Sequence, residues 1–279
     1  MSLKIISWNI GHRSKLWRDV AGLDADVALL QEACEPPTDI KTRLAIDSQP
    51  WMTGGSSTTK RGWRACVVGL RPELPIKHLA VRSLNEGDRD HLAVSRSGSL
   101  AAAQIDGGLT GAPITIVSMY SVWESPYLVS EGNWIFADAS AHRLISDISG
   151  LVARQTGHRI IAAGDLNSLY GYGENGSPYW AARHKTIFDR FAAIGLVFVG
   201  PQSPNGRQAE PWPSELPTTS RNVPTYYTSH QAPATATRQL DFVFASADLA
   251  SQVDVRALNT IDGWGSSDHC RLEITVHDG

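Results

Sequence analysis

The sequence predicts an α/β fold in which two mixed β-sheets pack face to face between outer helices, a four-layer α/β/β/α sandwich. Short apolar runs with strand character recur along the whole chain, and amphipathic stretches separate some of them. No segment repeats at a fixed period, which argues against a solenoid. The predicted strands lie near 3–10, 27–31, 64–70, 76–82, 100–105, 113–120, 159–164, 240–246, 252–258 and 270–276.

Two amphipathic stretches predict helices that cover the sheets, one near 135–155 and one near 178–194. In each stretch the apolar side chains recur on one helical face, as Ile187 and Phe191 do in the second. Gly195 then supplies a C-terminal stop. We therefore expect both helices to bury one face and to expose the other.

We predict that residues 1–279 form a single domain. A length of 279 residues allows one large domain or two, but no Gly/Ser-rich or Pro-rich linker separates two self-contained halves. Hydrophobic residues make up 42% of the chain and charged residues 19%, a composition that supports a large core and excludes a disordered chain.

The motif Gly-Asp-Leu-Asn-Ser at 164–168 directly follows the apolar run at 160–163. It places the Asp165 carboxylate and the Asn167 carboxamide at a strand tip, where α/β proteins keep their chemistry. An isolated copy of this motif would more often be a turn that caps its own backbone. Whether this motif marks a functional site or an ordinary turn therefore depends on the other motifs of the chain.

A second motif, Ser-Asp-His-Cys at 267–270, supplies the complementary groups. The Asp268 carboxylate suits a hard divalent cation, and the His269 imidazole suits proton transfer or stabilisation of a phosphoryl oxygen near neutral pH. The two motifs are typical of the two halves of one metal-dependent phosphoester-cleaving site.

Polar residues also stand at the ends of other predicted strands. Asn9 ends the first strand, Glu32 ends the second, and Tyr120 ends a later one, whereas Asp241 lies near the start of the strand at 240–246. Strands that each place an oxygen ligand beyond their last apolar residue would meet at one edge of a sheet. We therefore expect these side chains to share one site.

Taken in order, Trp-Asn, Leu-Gln-Glu, the strand-end Tyr, Gly-Asp-Leu-Asn, Leu-Asp-Phe and Ser-Asp-His resemble the endonuclease/exonuclease/phosphatase superfamily. This family includes pancreatic-type deoxyribonucleases, abasic-site endonucleases, neutral sphingomyelinases and inositol polyphosphate phosphatases. The resemblance runs from Asn9 to His269, and a set of ordered motifs is far more specific than any one of them. It implies the four-layer sandwich and a metal-dependent phosphoesterase activity.

The resemblance implies that Glu32 is the principal ligand of a Mg²⁺ or Mn²⁺ ion, with Asn9 and Asp268 beside it. Oxygen ligands without a Cys or a His pair at ligand spacing also favour these ions over Zn²⁺. The remaining histidines, including His12, have no partner at a readable ligand spacing, and no function is assigned to them.

The resemblance also implies the catalytic roles. Asp165 would align or activate the attacking water, and Asn167 would hold a phosphate oxygen. His269 would stabilise the scissile phosphoryl group while Asp241 orients its imidazole. Tyr120 would contact the phosphate or the leaving group. A cation, a carboxylate, a carboxamide and an imidazole together meet the needs of phosphodiester hydrolysis.

We expect the irregular loops to select the substrate. Trp123 and Trp180 are candidates to stack on bases or sugars, each stack being worth ~1–3 kcal/mol, although such rings also anchor loops by packing. Arg207 and Arg221, in the Pro-rich segment 201–224, are candidate phosphate contacts, the alternative being solvated surface charge.

The leading hypothesis is a nuclease that hydrolyses DNA or RNA by in-line attack of water. The net charge of −3, from 25 basic and 28 acidic residues, instead favours an alternative substrate, a small phosphoester such as a nucleotide, lipid headgroup or sugar phosphate. A catalytically silent binding module ranks last, because every expected polar position is occupied. Residues 236–240 lack the Trp that abasic-site endonucleases usually show there, which disfavours a dedicated repair enzyme.

A cytoplasmic location is expected. The N-terminal residues run straight into the first predicted strand without a signal peptide, and no apolar stretch approaches the ~20 residues of a membrane span. The widely spaced Cys34, Cys66 and Cys270 are typical of buried thiols in a reducing compartment.

Overall fold

A computed structural model of the chain describes residues 2–51, 62–86, 88–107, 111–124, 137–153 and 156–278. The strands within these ranges are β1 (Leu3–Asn9), β2 (Val27–Ala33), β3 (Ala45–Ile46), β4 (Arg64–Gly69), β5 (Ile76–His78), β6 (Val81–Ser83), β7 (Leu92–Val94), β8 (Leu100–Ile105), β9 (Ile114–Tyr120), β10 (Ile160–Asp165), β11 (Leu196–Gly200), β12 (Asp241–Ser246), β13 (Val253–Ala257) and β14 (Leu272–Val276). The α-helices are α1 (Leu16–Ala21), α2 (Thr38–Lys41), α3 (Asp138–Ser149), α4 (Pro178–Ala193) and α5 (Ile261–Trp264). Within the same ranges, no helix is both long and apolar enough to cross a membrane.

Two six-stranded sheets form the centre of the molecule, with strand orders β13-β14-β1-β2-β4-β3 and β11-β12-β10-β9-β8-β5. Each sheet is mixed, because β1 and β2 run parallel in the first and β9 and β10 in the second, whereas their other neighbours run antiparallel. Strands β6 and β7 form a separate parallel pair. The predicted two-sheet α/β sandwich is confirmed.

Successive side chains of a strand point to opposite faces of the sheet, and each face packs against a different layer. In β1, Leu3 and Ile5 point into the core between the sheets, while Ile6 and Trp8 pack on the other side with α1. Full burial of one such side chain is worth ~1.5–3 kcal/mol. The outer face of the second sheet packs against the apolar faces of α3 and α4, for example through Phe191. Helices therefore cover both outer faces.

Helix α4 begins and ends as predicted from 178–194. The Ser177 hydroxyl accepts a hydrogen bond from the Trp180 N–H (3.5 Å), and Pro178 occupies the first turn. Gly195 adopts a left-handed φ of 82° just after the helix. Helix α3 is shorter than the stretch 135–155, since it ends before Gly150, and residues 135, 136, 154 and 155 lie outside the described ranges.

The prediction of one strand at 76–82 is wrong. The chain forms two short strands there, and β5 pairs with β8 whereas β6 pairs with β7. Between them, Leu79 donates its N–H to the Ala102 carbonyl (2.9 Å) and the Ala80 carbonyl accepts from Leu92 (2.8 Å), so the backbone changes partners at this point. A continuous apolar pattern does not reveal such a change of sheet.

One edge of the sandwich collects the strand ends that carry the polar motifs. Strands β1, β2, β9 and β10 end at this edge, while the antiparallel β12 begins there, so that Asp165 pairs with both Tyr120 and Asp241. The segment that leads into β14 reaches the same edge, because β14 runs antiparallel to β1. The topology thus brings residues far apart in sequence to one place.

Gly164, the last residue before Asp165, allows β9 and β10 to pair closely. Its φ of +154° lies in a region that side chains avoid, and a Cβ atom there would stand 1.9 Å from the Met119 carbonyl oxygen. Only glycine therefore fits without moving the strand that carries Asp165.

We expect Gly164→Ala to lower the free energy of unfolding by roughly 2–5 kcal/mol, because backbone strain adds to overpacking. Gly157→Ala is the matched control, since Gly157 also has a positive φ (+84°) but its Cβ would meet nothing within 4 Å. Urea denaturation of both variants gives the measurement. Equal losses in the two variants would contradict the close approach at Met119.

Candidate active site

A β-bulge in β2 aims Glu32 toward the edge of the sheet. Leu30 pairs with Cys66 and Ala33 with Arg64, so two residues of β2, Gln31 and Glu32, stand opposite one residue of β4. Glu32 takes a left-handed φ of 48°. This conformation is unfavourable for a residue with a side chain, and such strain occurs most often at functional sites.

The Asn9 carboxamide connects Glu32 with the opposite sheet. Its Nδ2 atom donates to Glu32 Oε1 and to Asp165 Oδ2, both at 3.0 Å, and its Oδ1 atom accepts from the Gly11 N–H at 2.9 Å. Because the two carboxylates need donors and Gly11 offers one, the orientation of the amide is defined by its partners. Asn9 is fully buried.

Glu32 is surrounded by donors. His12 Nε2 lies 2.5 Å from Glu32 Oε2, and Tyr120 also hydrogen-bonds the carboxylate. Burial raises the pKa of Glu32, but the hydrogen bond and charge of His12, with the bonds from Asn9 and Tyr120, outweigh burial and lower the pKa to about 2. Glu32 is therefore an anion at neutral pH.

The buried Tyr120 stays a neutral phenol. Burial and the nearby Glu32 and Asp165 carboxylates hold the pKa of Tyr120 well above its ordinary value. Its ring meets Trp63 edge to face at 4.9 Å, and Trp63 meets His12 in the same manner at 5.6 Å. These contacts fix the rings around Glu32.

His269 lies between two carboxylates. Its Nδ1 atom is 2.9 Å from Asp241 Oδ2, and its Nε2 atom is 3.7 Å from Asp165 Oδ2. Burial lowers the pKa of His269, but the two carboxylates outweigh it and raise the pKa to about 10. The imidazole is therefore charged at neutral pH, with one ring nitrogen directed at each aspartate.

Asp165 differs from Glu32 in its acidity. Burial raises its pKa; His269 opposes this effect, while the nearby Asp241 and Glu32 add to it, and the pKa of Asp165 rises to about 8. Its Oδ1 atom accepts the Asn167 N–H at 2.8 Å. One carboxyl group of the site thus retains affinity for a proton near neutral pH.

Three further residues hold the site in place. Ser267 Oγ donates to the Asn9 carbonyl at 2.6 Å and accepts the His269 N–H at 3.1 Å, and Trp8 Nε1 donates to the His269 carbonyl at 3.0 Å. Thr225 Oγ1 accepts the Asp241 N–H at 3.0 Å. The bonds of Ser267 and Trp8 tie the segment before β14 to β1, and Thr225 joins that segment to the start of β12, because its carbonyl also accepts the Cys270 N–H at 2.9 Å.

Asn167 and Asp268 line the outer part of the same edge. Asn167, at a left-handed φ of 47°, donates its Nδ2 to the Ser121 carbonyl at 2.9 Å and hydrogen-bonds Tyr120. The Asp268 side chain is 36% exposed, and its Oδ1 atom lies 3.5 Å from an Arg13 guanidinium nitrogen. The structure therefore brings together all eight residues predicted as metal ligands or catalytic groups.

Three of the predicted substrate-binding residues lie on loops, and Trp180 lies on α4. Trp123 follows Tyr120 closely along the chain and is 43% exposed, whereas Trp180 lies in the first turn of α4 with the Arg183 guanidinium 4.8 Å from its ring. Of the residues that follow Trp123, 125–136 lie outside the described ranges.

Both predicted phosphate contacts use their guanidinium groups within the protein. Arg207 donates to the Gln208 and Pro233 carbonyls, at 3.1 and 3.0 Å, and Arg221 donates to the Ser203 carbonyl. Arg221 also lines a cavity of about 640 Å³ beside α4, and none of the catalytic candidates is among the described residues that line it.

Sequence reasoning missed several neighbours of the site. His12 contacts Glu32, and the Tyr226 ring lies 4.9 Å from the His269 ring. The place of His12 just after the end of β1 was an available signal, whereas Tyr226 lies in a loop without any motif. Arg238, another residue that the sequence offers as a candidate phosphate contact, forms a two-point ion pair with Glu174, at 3.0 and 3.3 Å.

The donor set fits a hard cation at Glu32. Glu32 is ionised and 18% exposed in its side chain, and Asp268 is a second partly exposed carboxylate on the same edge. Among the described residues, one group of acids and histidines has ligand atoms all within 4.8 Å of one another, namely Asp165, Asp241 and His269. In that group both ring nitrogens of His269 are directed at aspartates, whereas the Glu32 side chain is partly exposed.

Residues 6–269 match the sequence pattern of the Endonuclease/Exonuclease/phosphatase family. The chain belongs to this family, whose members hydrolyse phosphoric esters, and the resemblance found in the motifs is confirmed. No curated protein matches the sequence.

Solved structures show the same fold. The catalytic domain of APE2 from Xenopus laevis superposes with a TM-score of 0.64 at 14% identity, over 99% of this chain and 94% of that one. An AP endonuclease from Archaeoglobus fulgidus gives 0.62 at 17% identity, over 99% and 100% of the two chains. A 3′ phosphatase from Neisseria, bound to product DNA hairpin, gives 0.60 at 17% identity, over 98% of both chains.

We expect Asp241→Asn to lower the pKa of His269 by about 1–3 units, because the amide keeps the shape of the side chain and removes the charge nearest Nδ1. NMR titration of the histidine resonances in metal-free protein measures this change. Asp254→Asn is the control, since Asp254 pairs with His277 (2.8 Å) on the surface and should leave His269 unchanged. An unaltered His269 pKa in Asp241→Asn would refute the assigned charge pair.

Proposed function

We propose that this protein is a divalent-metal-dependent phosphodiesterase that cleaves nucleic-acid phosphodiester bonds by in-line attack of water. The observation that carries this proposal is the buried Asp165-His269-Asp241 cluster joined through Asn9 to the ionised Glu32. It combines a carboxyl group of raised pKa, a charged imidazole and an anionic oxygen ligand in one place.

Asp165 is the proposed base. A catalytic base works best with a pKa near the operating pH, and the raised pKa of Asp165 meets this requirement better than an ordinary aspartate would. The Asn167 N–H donates to Oδ1 at 2.8 Å and Asn9 Nδ2 donates to Oδ2 at 3.0 Å, so both oxygens are held in place, and each keeps a lone pair with which to orient water. Asn167 is proposed to hold a phosphate oxygen through its carboxamide.

His269 is proposed to stabilise the negative charge that grows on the phosphoryl group. Asp241 supports this role in two ways, because it holds Nδ1 in place and keeps the imidazole charged. Tyr120, neutral and buried, is proposed to donate a hydrogen bond to the phosphate or the leaving group.

Glu32 would hold the cation, Mg²⁺ or Mn²⁺, with Asn9 and Asp268 beside it. When bound, such an ion neutralises charge on the phosphoryl oxygens. Since Asn9 Oδ1 accepts from Gly11, the contribution of Asn9 in the described arrangement is to place the Glu32 carboxylate.

Nucleic acid is the proposed substrate class because one of the structurally similar proteins is named an AP endonuclease, and another is a 3′ phosphatase bound to product DNA hairpin. The exposed Trp123 ring, near Tyr120 along the chain, suits base stacking. The charged Arg238–Glu174 pair stands just before Leu240, where an abasic-site enzyme would need an apolar wall, and this argues against a dedicated repair enzyme.

A small phosphoester remains the second candidate substrate. This candidate is favoured because Arg207 and Arg221 donate hydrogen bonds to backbone carbonyls. Their guanidinium groups are therefore less available to bind the phosphates of a nucleic acid. For either substrate we propose a cytoplasmic location, which the burial of all three cysteines supports.

We expect the protein to hydrolyse at least one phosphoester among DNA, RNA and p-nitrophenyl mono- and diesters with Mg²⁺ or Mn²⁺, and none with EDTA. Asp165→Asn and His269→Ala should each lower kcat by on the order of 10²-fold or more, since both act in the transition state. The double variant should be scarcely worse than the poorer single variant. Activity that persists in EDTA, or fully multiplicative losses, would contradict the proposed site.

If nucleic acid is the substrate, we expect log K for oligonucleotide binding to fall linearly with log[salt], because basic side chains release condensed counterions. Arg221→Gln and Arg207→Gln should flatten this slope if those residues contact phosphates, whereas Trp123→Ala and Trp180→Ala should weaken binding and leave the slope unchanged. Fluorescence anisotropy with catalytically inactive Asp165→Asn provides the isotherms. Binding that hardly changes between low and physiological salt would favour the small phosphoester.

A further inference from the structure

His12 makes two contacts with Glu32. Its Nε2 atom lies 2.5 Å from Glu32 Oε2, and its backbone N–H donates to the Glu32 carbonyl at 2.9 Å. The segment after β1 thus wraps over the end of β2, since the Ile10 N–H also donates to the Gln31 carbonyl at 3.0 Å. Backbone and side chain together fix the imidazole beside the carboxylate.

The backbone of His12 is strained in order to reach this position. His12 has a φ of 58° and follows Gly11, which has a φ of 52°. Glycine adopts this region freely, whereas other residues do so uncommonly, with histidine among those that do so more often. Strained residues persist where the surrounding structure enforces them, and they cluster at functional sites.

The Glu32 carboxylate has two hydrogen-bond donors besides His12. Asn9 Nδ2 already bonds Oε1 at 3.0 Å, and the Tyr120 hydroxyl bonds the carboxylate as well. The His12 side chain is 29% exposed and that of Glu32 18%, so an ion from solvent can reach this pair. His269, by contrast, directs both ring nitrogens at aspartates.

We propose that His12 Nε2 is a nitrogen ligand of the cation that Glu32 holds. The proposal rests on the proposed function, because it needs a cation at Glu32. Metal–ligand bonds of about 2.1 Å allow one ion to reach two atoms that lie 2.5 Å apart. An imidazole ligand makes the site prefer first-row transition ions such as Mn²⁺ and Co²⁺, because Mg²⁺ favours an all-oxygen set.

Pulsed EPR of the Mn²⁺-loaded protein tests this assignment directly. We expect ¹⁴N couplings typical of a bound imidazole in the wild type and in His269→Gln, and their loss in His12→Gly. Glycine suits the left-handed backbone at this position, so His12→Gly should fold at least as well as the wild type. His12→Asn, which also tolerates this conformation, provides a second variant without an imidazole.

Calorimetry supplies the affinities. We expect His12→Gly to weaken Co²⁺ and Mn²⁺ binding by at least about tenfold and to weaken Mg²⁺ binding clearly less. His142→Gln, a remote imidazole deletion on α3, should bind all three ions as the wild type does.

Three outcomes would overturn the assignment, and they separate it from the proposed function. If wild-type protein binds no Mn²⁺, the metal site of the proposed function fails and His12 fails with it. If Mn²⁺ binds without ¹⁴N coupling, the metal site stands and the nitrogen ligand is refuted. If all three ions lose affinity by the same factor in both His12 variants, His12 positions Glu32 and does not bind the ion.

Discussion

The Asn9 carboxamide holds one carboxylate from each sheet, and the arrangement of the site depends on this contact. Glu32 comes from the first sheet and Asp165 from the second, and each accepts one hydrogen of the same NH₂ group at 3.0 Å. Two buried carboxylates side by side would repel each other, whereas a shared donor fixes both. Hydrogen bonds to charged groups contribute about 1.5–3 kcal/mol each. The sheets are therefore joined by polar contacts at this edge as well as by the core between them.

At the same edge, two carboxyl groups have very different pKa values. Glu32, with His12 and Tyr120 as donors, has a pKa of about 2, whereas Asp165, buried near two other acids, has a pKa of about 8. Titratable groups with pKa values pushed apart by their surroundings are well suited to separate acid–base roles. Here the permanently charged group suits cation binding and the group of raised pKa suits proton transfer. The charged His269 lies between Asp165 and Asp241 and offsets negative charge there.

Unusual backbone conformations concentrate at this edge. Glu32, Asn167 and His12 all take left-handed φ values, and Gly164 lies beside them at +154°. Each conformation has a local reason: a bulge redirects Glu32, a tight turn returns the Asn167 N–H to Asp165, and close strand pairing leaves no room for a Cβ at Gly164. The long, regular strands of the two sheets supply the stability that offsets this strain.

The sequence by itself determined most of the strands, the two long helices and the residues at the strand ends, because alternation, periodicity and turn residues are local properties. It also identified Asn9 and His269 as parts of one site, although 260 positions separate them. Only the tertiary structure decided how β2 bulges at Glu32, that His12 contacts its carboxylate, and that Arg207 bonds backbone carbonyls. The bulge depends on how β2 pairs with β4, and the contacts of His12 and Arg207 depend on which polar groups come close together when the chain folds. Neither can be read from a local sequence pattern.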